Sequence, residues 1–198
     1  MPGMPIKCAG APQKAMYLSC DHWQKTGRLS GMNVSFCNAG PVLFGCATYV
    51  PPLMKYVDKY GINLDFGHNL TKIDGASKTA WFKVTKEGEE PQMIERKFDM
   101  IHVCPPQCAP DFISKSPLAN AGGWVDVEQE TLQHTGFPNV FSLGDVASTP
   151  NAKTAAAARK QAPIVAQNVK AFMAGRELKP LYDGYGSCPL TVEKGKII

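Results

Sequence analysis

Apolar residues recur along the chain at spacings that predict three main helices. Residues 13–25 and 51–60 carry apolar side chains on one helical face, and each segment ends close to a glycine. Residues 153–174 are rich in alanine and predict a longer helix, kinked at Pro163. The pattern therefore predicts helices in the first third and the last quarter of the chain.

Short runs of β-branched and aromatic residues predict the strands. We expect them at residues 32–37, 62–66, 70–73, 79–85, 92–96, 98–104 and 140–143, with a last strand in the tail. The three runs in the middle are separated by turn residues, which favours antiparallel pairing. The runs at 98–104 and 140–143 are apolar enough to be buried strands. Strands alternating with helices predict an α/β fold with a mostly parallel sheet and a small antiparallel insert.

The order of these elements predicts that the chain begins inside a domain. A doubly wound domain begins with a strand that leads into its first helix and lies in the middle of the sheet. Here the first helix follows a loop. We therefore expect the first strand of this domain to be missing.

Composition excludes several classes of function. The net charge is only +4, and no run of Lys and Arg concentrates it, so nucleic acid is not an expected partner. No apolar run reaches the roughly 18–20 residues that cross a bilayer, and the first residues do not resemble a signal peptide. The chain alone is expected to be soluble.

The cysteines do not form a metal or disulfide pattern. They stand at positions 8, 20, 37, 46, 104, 108 and 188. Cys104 and Cys108 have only His102 nearby and lack a second pair of ligands, so no metal site is expected. The three cysteines between residues 20 and 46 are interpreted as small buried hydrophobes.

Cys8 and Cys188 have local surroundings that suit redox chemistry. Cys8 directly precedes a predicted helix and follows Lys7, and both features stabilise a thiolate; the alternative is a buried loop cysteine. Cys188 lies in a loop where Tyr182 and Tyr185 could exclude water; the alternative is a packed turn. Two thiols in one pocket would form a two-electron couple.

A second candidate site follows the predicted strand at 140–143. Gly144 permits close approach of a ligand, and the Asp145 carboxylate can accept a hydrogen bond from a ribityl hydroxyl of a flavin; the alternative is that Asp145 caps a helix. The next helix would direct its N–H groups at the electron-rich end of the flavin ring and favour its anionic reduced form. The residues at that helix start are Lys153, Thr154, Ala155 and Ala156.

Five segments in order along the chain resemble the sulfide:quinone oxidoreductases, in particular the type found in mitochondria and some bacteria. They are Pro5-Ile6-Lys7-Cys8-Ala9-Gly10-Ala11-Pro12-Gln13-Lys14, Gly122-Gly123-Trp124-Val125-Asp126-Val127, Pro138-Asn139-Val140-Phe141 with Gly144-Asp145, Lys153-Thr154-Ala155-Ala156-Ala157, and Tyr182-Asp183-Gly184-Tyr185-Gly186-Ser187-Cys188-Pro189-Leu190. The two cysteine motifs are specific to that family.

The resemblance implies the architecture. It predicts parts of two dinucleotide-binding domains, Rossmann-like and of the glutathione-reductase type, with the N-terminal FAD-binding part missing. Residues 1–108 would be the second, pyridine-nucleotide-like domain without its first strand. Residues 109–198 would be the C-terminal part of the FAD-binding domain. No Gly-x-Gly-x-x-Gly occurs near Cys8, so no nicotinamide is expected there.

The resemblance also implies the chemistry. Cys8 and Cys188 would be the catalytic pair, which hydrosulfide attacks as a disulfide or bridging polysulfide. FAD would take two electrons and quinone would reoxidise it, while the sulfur leaves to glutathione, sulfite or sulfide. The complete protein would lie at the inner or cytoplasmic membrane as a peripheral protein, through a segment absent here, and could form homo-oligomers.

Other functions remain open at this point. A flavocytochrome sulfide dehydrogenase or another enzyme of the disulfide-reductase type is an alternative within the superfamily. A non-catalytic α/β remnant is the alternative from a different class. Because most of the FAD-binding surface has no counterpart, the isolated chain is expected to bind FAD weakly or not at all, to be inactive and to self-associate.

Overall fold

The computed structural model describes residues 1–198, which form two compact units. Unit 1 consists of Met1–Pro106 together with Pro189–Ile198, and unit 2 consists of Gln107–Cys188. The last ten residues therefore belong to the unit that contains the start of the chain.

Four helices are present, and the three main ones are those that the sequence predicts. In unit 1, α1 spans Gly10–Lys25 and α2 spans Val50–Tyr60. In unit 2, α3 is a short helix at Asp111–Ser114 and α4 spans Ala155–Met173. The α2 helix ends at Gly61 because this residue adopts a left-handed φ of 62°, which other residues adopt only at a cost.

Unit 1 contains a parallel pair of strands and an antiparallel sheet. The parallel pair is β1 at Ser35–Asn38 with β2 at Asn63–Phe66. The antiparallel sheet has the order β3, β4, β5, at His68–Asp74, Thr79–Val84 and Gln92–Lys97. The antiparallel insert that the turn residues predict is confirmed.

Two predicted strands are wrong. Residues 98–104 form no strand, and Met100 within them is 68% exposed. Residues 140–143 are half-buried and make only an isolated bridge, between Phe141 and Gln133. A strand forms only beside a partner strand that shares its backbone hydrogen bonds. Residues 98–104 have no such partner. Residues 140–143 exchange backbone hydrogen bonds with residues 132–134, but this contact is too short to form a strand pair. The mostly parallel sheet is therefore reduced to the β1–β2 pair.

The C-terminal hairpin is part of the core of unit 1. Its strands are β6 at Thr191–Glu193 and β7 at Lys196–Ile197. Leu190 and Val192 pack in the same buried cluster as Tyr17 of α1 and Leu53 of α2. The backbone N–H of Lys194 donates to Asp21 Oδ2 at 3.1 Å. The residues that follow Cys188 are thus fixed against α1.

Leu190→Ala tests this anchoring. Leu190 is 1% exposed, so the substitution leaves a cavity and should lower the free energy of unfolding by about 2–5 kcal/mol. Leu181→Ala is the matched control, because Leu181 is 52% exposed. Urea unfolding followed by circular dichroism measures both. Equal effects of the two substitutions would contradict the packing described.

Candidate active site

The Gly144 turn has the backbone conformation that only glycine adopts easily. Gly144 is buried and has a φ of 70°. Its N–H donates to Oε1 of Gln161 on α4 at 2.8 Å. Asp145, the next residue, is exposed to solvent. The turn is therefore held from inside by Gln161 and presents Asp145 on the surface, where its carboxylate can accept hydrogen bonds from a ligand.

The N-terminus of α4 is capped and leaves two N–H groups for a ligand. Thr154 is the N-cap residue, and its Oγ1 accepts the N–H of Ala157 at 3.2 Å. The helix itself offers no acceptor to the preceding N–H groups, those of Ala155 and Ala156. Together with the positive end of the helix dipole, they favour a negatively charged ligand group.

Lys153 uses its ammonium group to shape the loop before α4. Its Nζ donates to the carbonyl oxygens of Ala147 at 2.5 Å and Thr149 at 2.9 Å. The same Nζ lies 5.1 Å from the ring centroid of Trp124. Lys153 thus adds positive charge at this end of α4 and also holds the loop that leads to it.

Two polar atoms in the same loop lack a hydrogen-bond partner. They are Oγ1 of Thr149 and Oδ1 of Asn151, both buried. A buried polar group without a partner costs about 1–3 kcal/mol, so such atoms are suited to a ligand with hydroxyl or amide groups. This observation agrees with a polar cofactor such as FAD beside the loop.

The Cys188 loop packs along the first half of α4, within unit 2. The hydroxyl of Tyr182, a buried residue, donates to the carbonyl oxygen of Tyr185. Lys160 Nζ of α4 lies 5.5 Å from the ring centroid of Tyr185. A Cβ placed on Gly186 would lie 3.7 Å from the carbonyl oxygen of Ala152. The structure therefore brings the Cys188 loop together with the candidate residues at the start of α4.

Tyr182 and Tyr185, the two side chains predicted to exclude water from the Cys188 loop, differ in burial. Tyr182 is 4% exposed, and burial raises its pKa. Tyr185 is 42% exposed, so its ring remains accessible to water in this chain. Of the two tyrosines, only Tyr182 is itself shielded from water.

Cys8 lies where the sequence predicts, directly before a helix. The α1 helix begins at Gly10, and the carbonyl oxygen of Cys8 accepts the N–H of Ala11 at 3.1 Å. Both Cys8 and Cys188 are half-buried. Cys8 belongs to unit 1 and Cys188 to unit 2, and their pairing stays a prediction.

Burial makes three other cysteines less reactive. It raises the pKa of Cys20 to about 11, and it raises the pKa of Cys104. It also raises the pKa of Cys37, although the nearby Arg96 guanidinium opposes this effect. Cys20 is the buried hydrophobe that was expected. For Cys46 this interpretation is wrong, because its loop before α2 leaves it exposed.

Sequence reasoning missed Gln161, although the sequence contains a signal for it. Ala157, Gln161, Asn168 and Ala171 form the buried face of α4. A glutamine on a buried helical face indicates a specific hydrogen-bond partner inside. No group of three or more His, Cys, Asp or Glu side chains comes together to hold a metal ion.

Comparison with solved structures defines the class of fold. The chain resembles the sulfide:quinone oxidoreductase of Aquifex aeolicus with a TM-score of 0.72 and 17% identity, over 88% of this chain and 43% of that one. It resembles the thioredoxin reductase of T. acidophilum with a TM-score of 0.51 and 23% identity, over 72% of this chain and 45% of that one. The chain has a partial Rossmann-like α/β fold, which confirms the predicted fold class.

Comparison with curated sequences defines the family. The chain is 39% identical to the mitochondrial sulfide:quinone oxidoreductase of Mus musculus over 197 residues. It is 43% identical to that of Dictyostelium discoideum over 199 aligned positions. No protein-family model matches the chain. The chain belongs to the sulfide:quinone oxidoreductase family, and it spans 43% of the length of these relatives.

Thr154→Ala tests the capped start of α4. Loss of the Oγ1 acceptor should lower the free energy of unfolding by about 1 kcal/mol. Thr154→Ser is the control, because it keeps the hydroxyl and should change stability much less. Urea unfolding of the three proteins measures the difference. If the alanine and serine variants are equally stable, the cap is not formed in solution.

Proposed function

We propose that this chain supplies the redox-cysteine part of a flavin-dependent sulfide:quinone oxidoreductase. The observation that carries the proposal is similarity to the family over 100% of the chain, which includes both Cys8 and Cys188. The whole enzyme would oxidise sulfide and pass two electrons through FAD to quinone. We assign residues 1–108 to the second dinucleotide-type domain and 109–198 to the FAD-binding domain.

The proposed redox pair is Cys8 with Cys188. Support comes from the connections of the chain: α1 begins two residues after Cys8, and β6, which begins three residues after Cys188, packs on α1. The burial that raises the pKa of Cys20, Cys37 and Cys104 argues against those alternatives.

The proposed reaction at the pair is a thiol–disulfide exchange. Hydrosulfide attacks one sulfur of the Cys8–Cys188 disulfide, the S–S bond breaks, and one cysteine becomes a persulfide while the other leaves as a thiolate. The outer sulfur then passes to a small acceptor such as glutathione, sulfite or a second sulfide. Both cysteines are then reduced, and loss of two electrons restores the disulfide. FAD, when bound, accepts these two electrons and transfers them to quinone.

The proposed contribution of unit 2 is to bind and orient the flavin. Asp145 would accept a hydrogen bond from a ribityl hydroxyl, and Gly144 gives the turn its shape. The N–H groups of Ala155 and Ala156 would stabilise negative charge on the reduced ring, with Thr154 fixing the helix start. Lys153 would support them by holding the loop before α4.

The location of the whole protein is also a proposal. No helix of this chain is long and apolar enough to cross a membrane. Three of the curated relatives carry the designation mitochondrial in their names. We propose that the complete protein contacts the inner or cytoplasmic membrane peripherally, through a segment outside this chain, and can form homo-oligomers.

A non-catalytic α/β module is the second candidate, favoured by one observation. The chain spans 43% of the length of its curated relatives, so more than half of each relative has no counterpart in it. Under this candidate the chain would fold or associate without flavin.

Substitution of each proposed redox cysteine tests the first candidate. In a complete family protein that carries this sequence, Cys8→Ser or Cys188→Ser should abolish sulfide-dependent quinone reduction, because no disulfide can form, while flavin stays bound. Cys37→Ser and Cys46→Ser are the controls and should change turnover little. Turnover and flavin absorbance are measured together. Retained turnover in Cys188→Ser would show that another residue is the partner of Cys8.

Titration of FAD into the 198-residue chain separates the two candidates. We expect weak or no binding and self-association, because the chain provides only one edge of the flavin site. Flavin fluorescence measures binding, and light scattering measures the oligomeric state. A yellow monomer with stoichiometric flavin would contradict this expectation.

A further inference from the structure

Asn168 is a fully buried amide in the second half of α4. Its side chain is 0% exposed. Asparagine is disfavoured inside a helix because its side chain competes with the backbone for hydrogen bonds. Its presence at a buried position of α4 therefore indicates that the side chain has specific partners.

The side chain of Asn168 joins two segments that are far apart in sequence. Its Nδ2 donates to the carbonyl oxygens of Thr131 at 2.9 Å and Pro180 at 3.0 Å, which uses both N–H groups of the amide. Its Oδ1, in contrast, is buried and lacks a hydrogen-bond partner. The two donors are therefore the groups that the fold uses at this position.

The Thr131 carbonyl belongs to a turn, residues 128–132, that needs support. Leu132 has a φ of 61°, in the left-handed region that a residue other than glycine adopts at a cost. On the exposed side, Oε2 of Glu128 accepts the N–H groups of Thr131 at 2.8 Å and Glu130 at 3.0 Å. The turn is thus held by Glu128 at the surface and by Asn168 inside.

The Pro180 carbonyl stands at the start of the segment that leads to Cys188. Two positions further on, the N–H of Tyr182 donates to the carbonyl oxygen of Glu130, in the same turn, at 2.7 Å. The hydroxyl of Tyr182 donates to the carbonyl oxygen of Tyr185. The segment is therefore held at successive points until three residues before Cys188.

We infer that Asn168 is a positioning residue that fixes segment 180–185 and thereby the approach to Cys188. It does so by joining the Pro180 carbonyl to the 128–132 turn. The inference rests on the proposed function, since it takes Cys188 as a redox cysteine. An amide suits this position because carbonyl oxygens only accept hydrogen bonds, and one NH₂ group can donate to two of them.

Two substitutions in the 198-residue chain remove both donors with little change in volume. Asn168→Leu has no polar group, and Asn168→Asp has acceptors only when it is ionised. Gln167→Leu is the matched control, because Gln167 is the neighbouring amide on α4 and is exposed. Hydrogen exchange of the peptide that contains Tyr182, measured by mass spectrometry, reports on the segment. Alkylation of Cys188 by iodoacetamide in the reduced chain reports on the loop.

Both readouts should change in the two Asn168 variants and in neither case in Gln167→Leu. We expect exchange of the Tyr182 peptide to accelerate on the order of ten-fold, the effect of losing two hydrogen bonds. Alkylation of Cys188 should accelerate on the order of three-fold, which is less because the half-buried thiol already reacts without full opening of the loop. Alkylation of Cys8, in unit 1, should keep its rate.

The pH profile separates the hydrogen bonds of Asn168 from its packing. Burial raises the pKa of a carboxyl, and the carboxyl introduced by Asn168→Asp can donate one hydrogen bond once it is protonated. Its exchange rate at the Tyr182 peptide, relative to the unsubstituted chain, should therefore decrease as the pH falls from about 9 to about 5, whereas the ratio for Asn168→Leu should stay constant. Hydrogen bonds from Thr131 hold the pKa of Glu128 below its ordinary value, so Glu128 stays ionised in this range. Identical profiles of the two variants would show a packing role alone and overturn the inference.

Two further results would overturn it. One is an unchanged rate in either readout in both Asn168 variants. The other is equal acceleration of the peptide that contains Val125, whose N–H donates to the carbonyl oxygen of Val146 at 2.8 Å, because Asn168 would then only stabilise unit 2 as a whole. Neither readout uses flavin, sulfide or quinone. Failure here is therefore distinct from loss of the proposed function, which the serine variants of Cys8 and Cys188 report.

Discussion

The structure around Cys188 depends on fixing its loop at both ends. Upstream, Tyr182 is buried and its hydroxyl holds the Tyr185 carbonyl. Downstream, Leu190 pairs its backbone with Ile198 in both directions, at 3.1 and 2.9 Å, and buries its side chain in the core of unit 1. Four residues, 186–189, lie between these two points. In the proposed reaction Cys188 reacts repeatedly with small sulfur species, and a loop that is already ordered loses less entropy at each step.

The residues at and near the start of α4 fall into two groups. Some support the fold of the chain, and others are proposed to bind a ligand. Thr154 caps the helix and Lys153 holds two loop carbonyls, so both serve the chain itself. The groups that we propose to contact a cofactor are different ones: the carboxylate of the exposed Asp145 and the N–H groups of Ala155 and Ala156. A motif read from sequence does not separate these two kinds of role, because residues that shape a site and residues that touch its ligand stand side by side in the chain.

Local signals allowed the helices and the antiparallel insert to be predicted. Contacts between residues distant in sequence decided which other segments form strands and which cysteines are buried. Glycine stops and turn dipeptides act within a few residues, so α2 and β3 to β5 follow from the sequence. Residues 98–104 have the composition of a buried strand but no strand beside them to complete it. Cys46 was predicted to be buried but is exposed, because the burial of a residue depends on how the surrounding chain packs. Gln161 was not predicted, since the N–H group that it accepts belongs to Gly144, 17 positions away.

Burial raises the pKa of three cysteines and so makes them less reactive. Cys20 lies in the core beside Tyr17, and burial raises its pKa to about 11, so it remains a thiol at neutral pH. The thiolate is the nucleophile in sulfur exchange, so such a residue contributes little to it. Cys8 and Cys188 are only half-buried, and Cys8 stands before a helix whose dipole favours negative charge. Burial thus argues against Cys20, Cys37 and Cys104 as members of the redox pair, whereas the choice of Cys8 with Cys188 rests on the family resemblance.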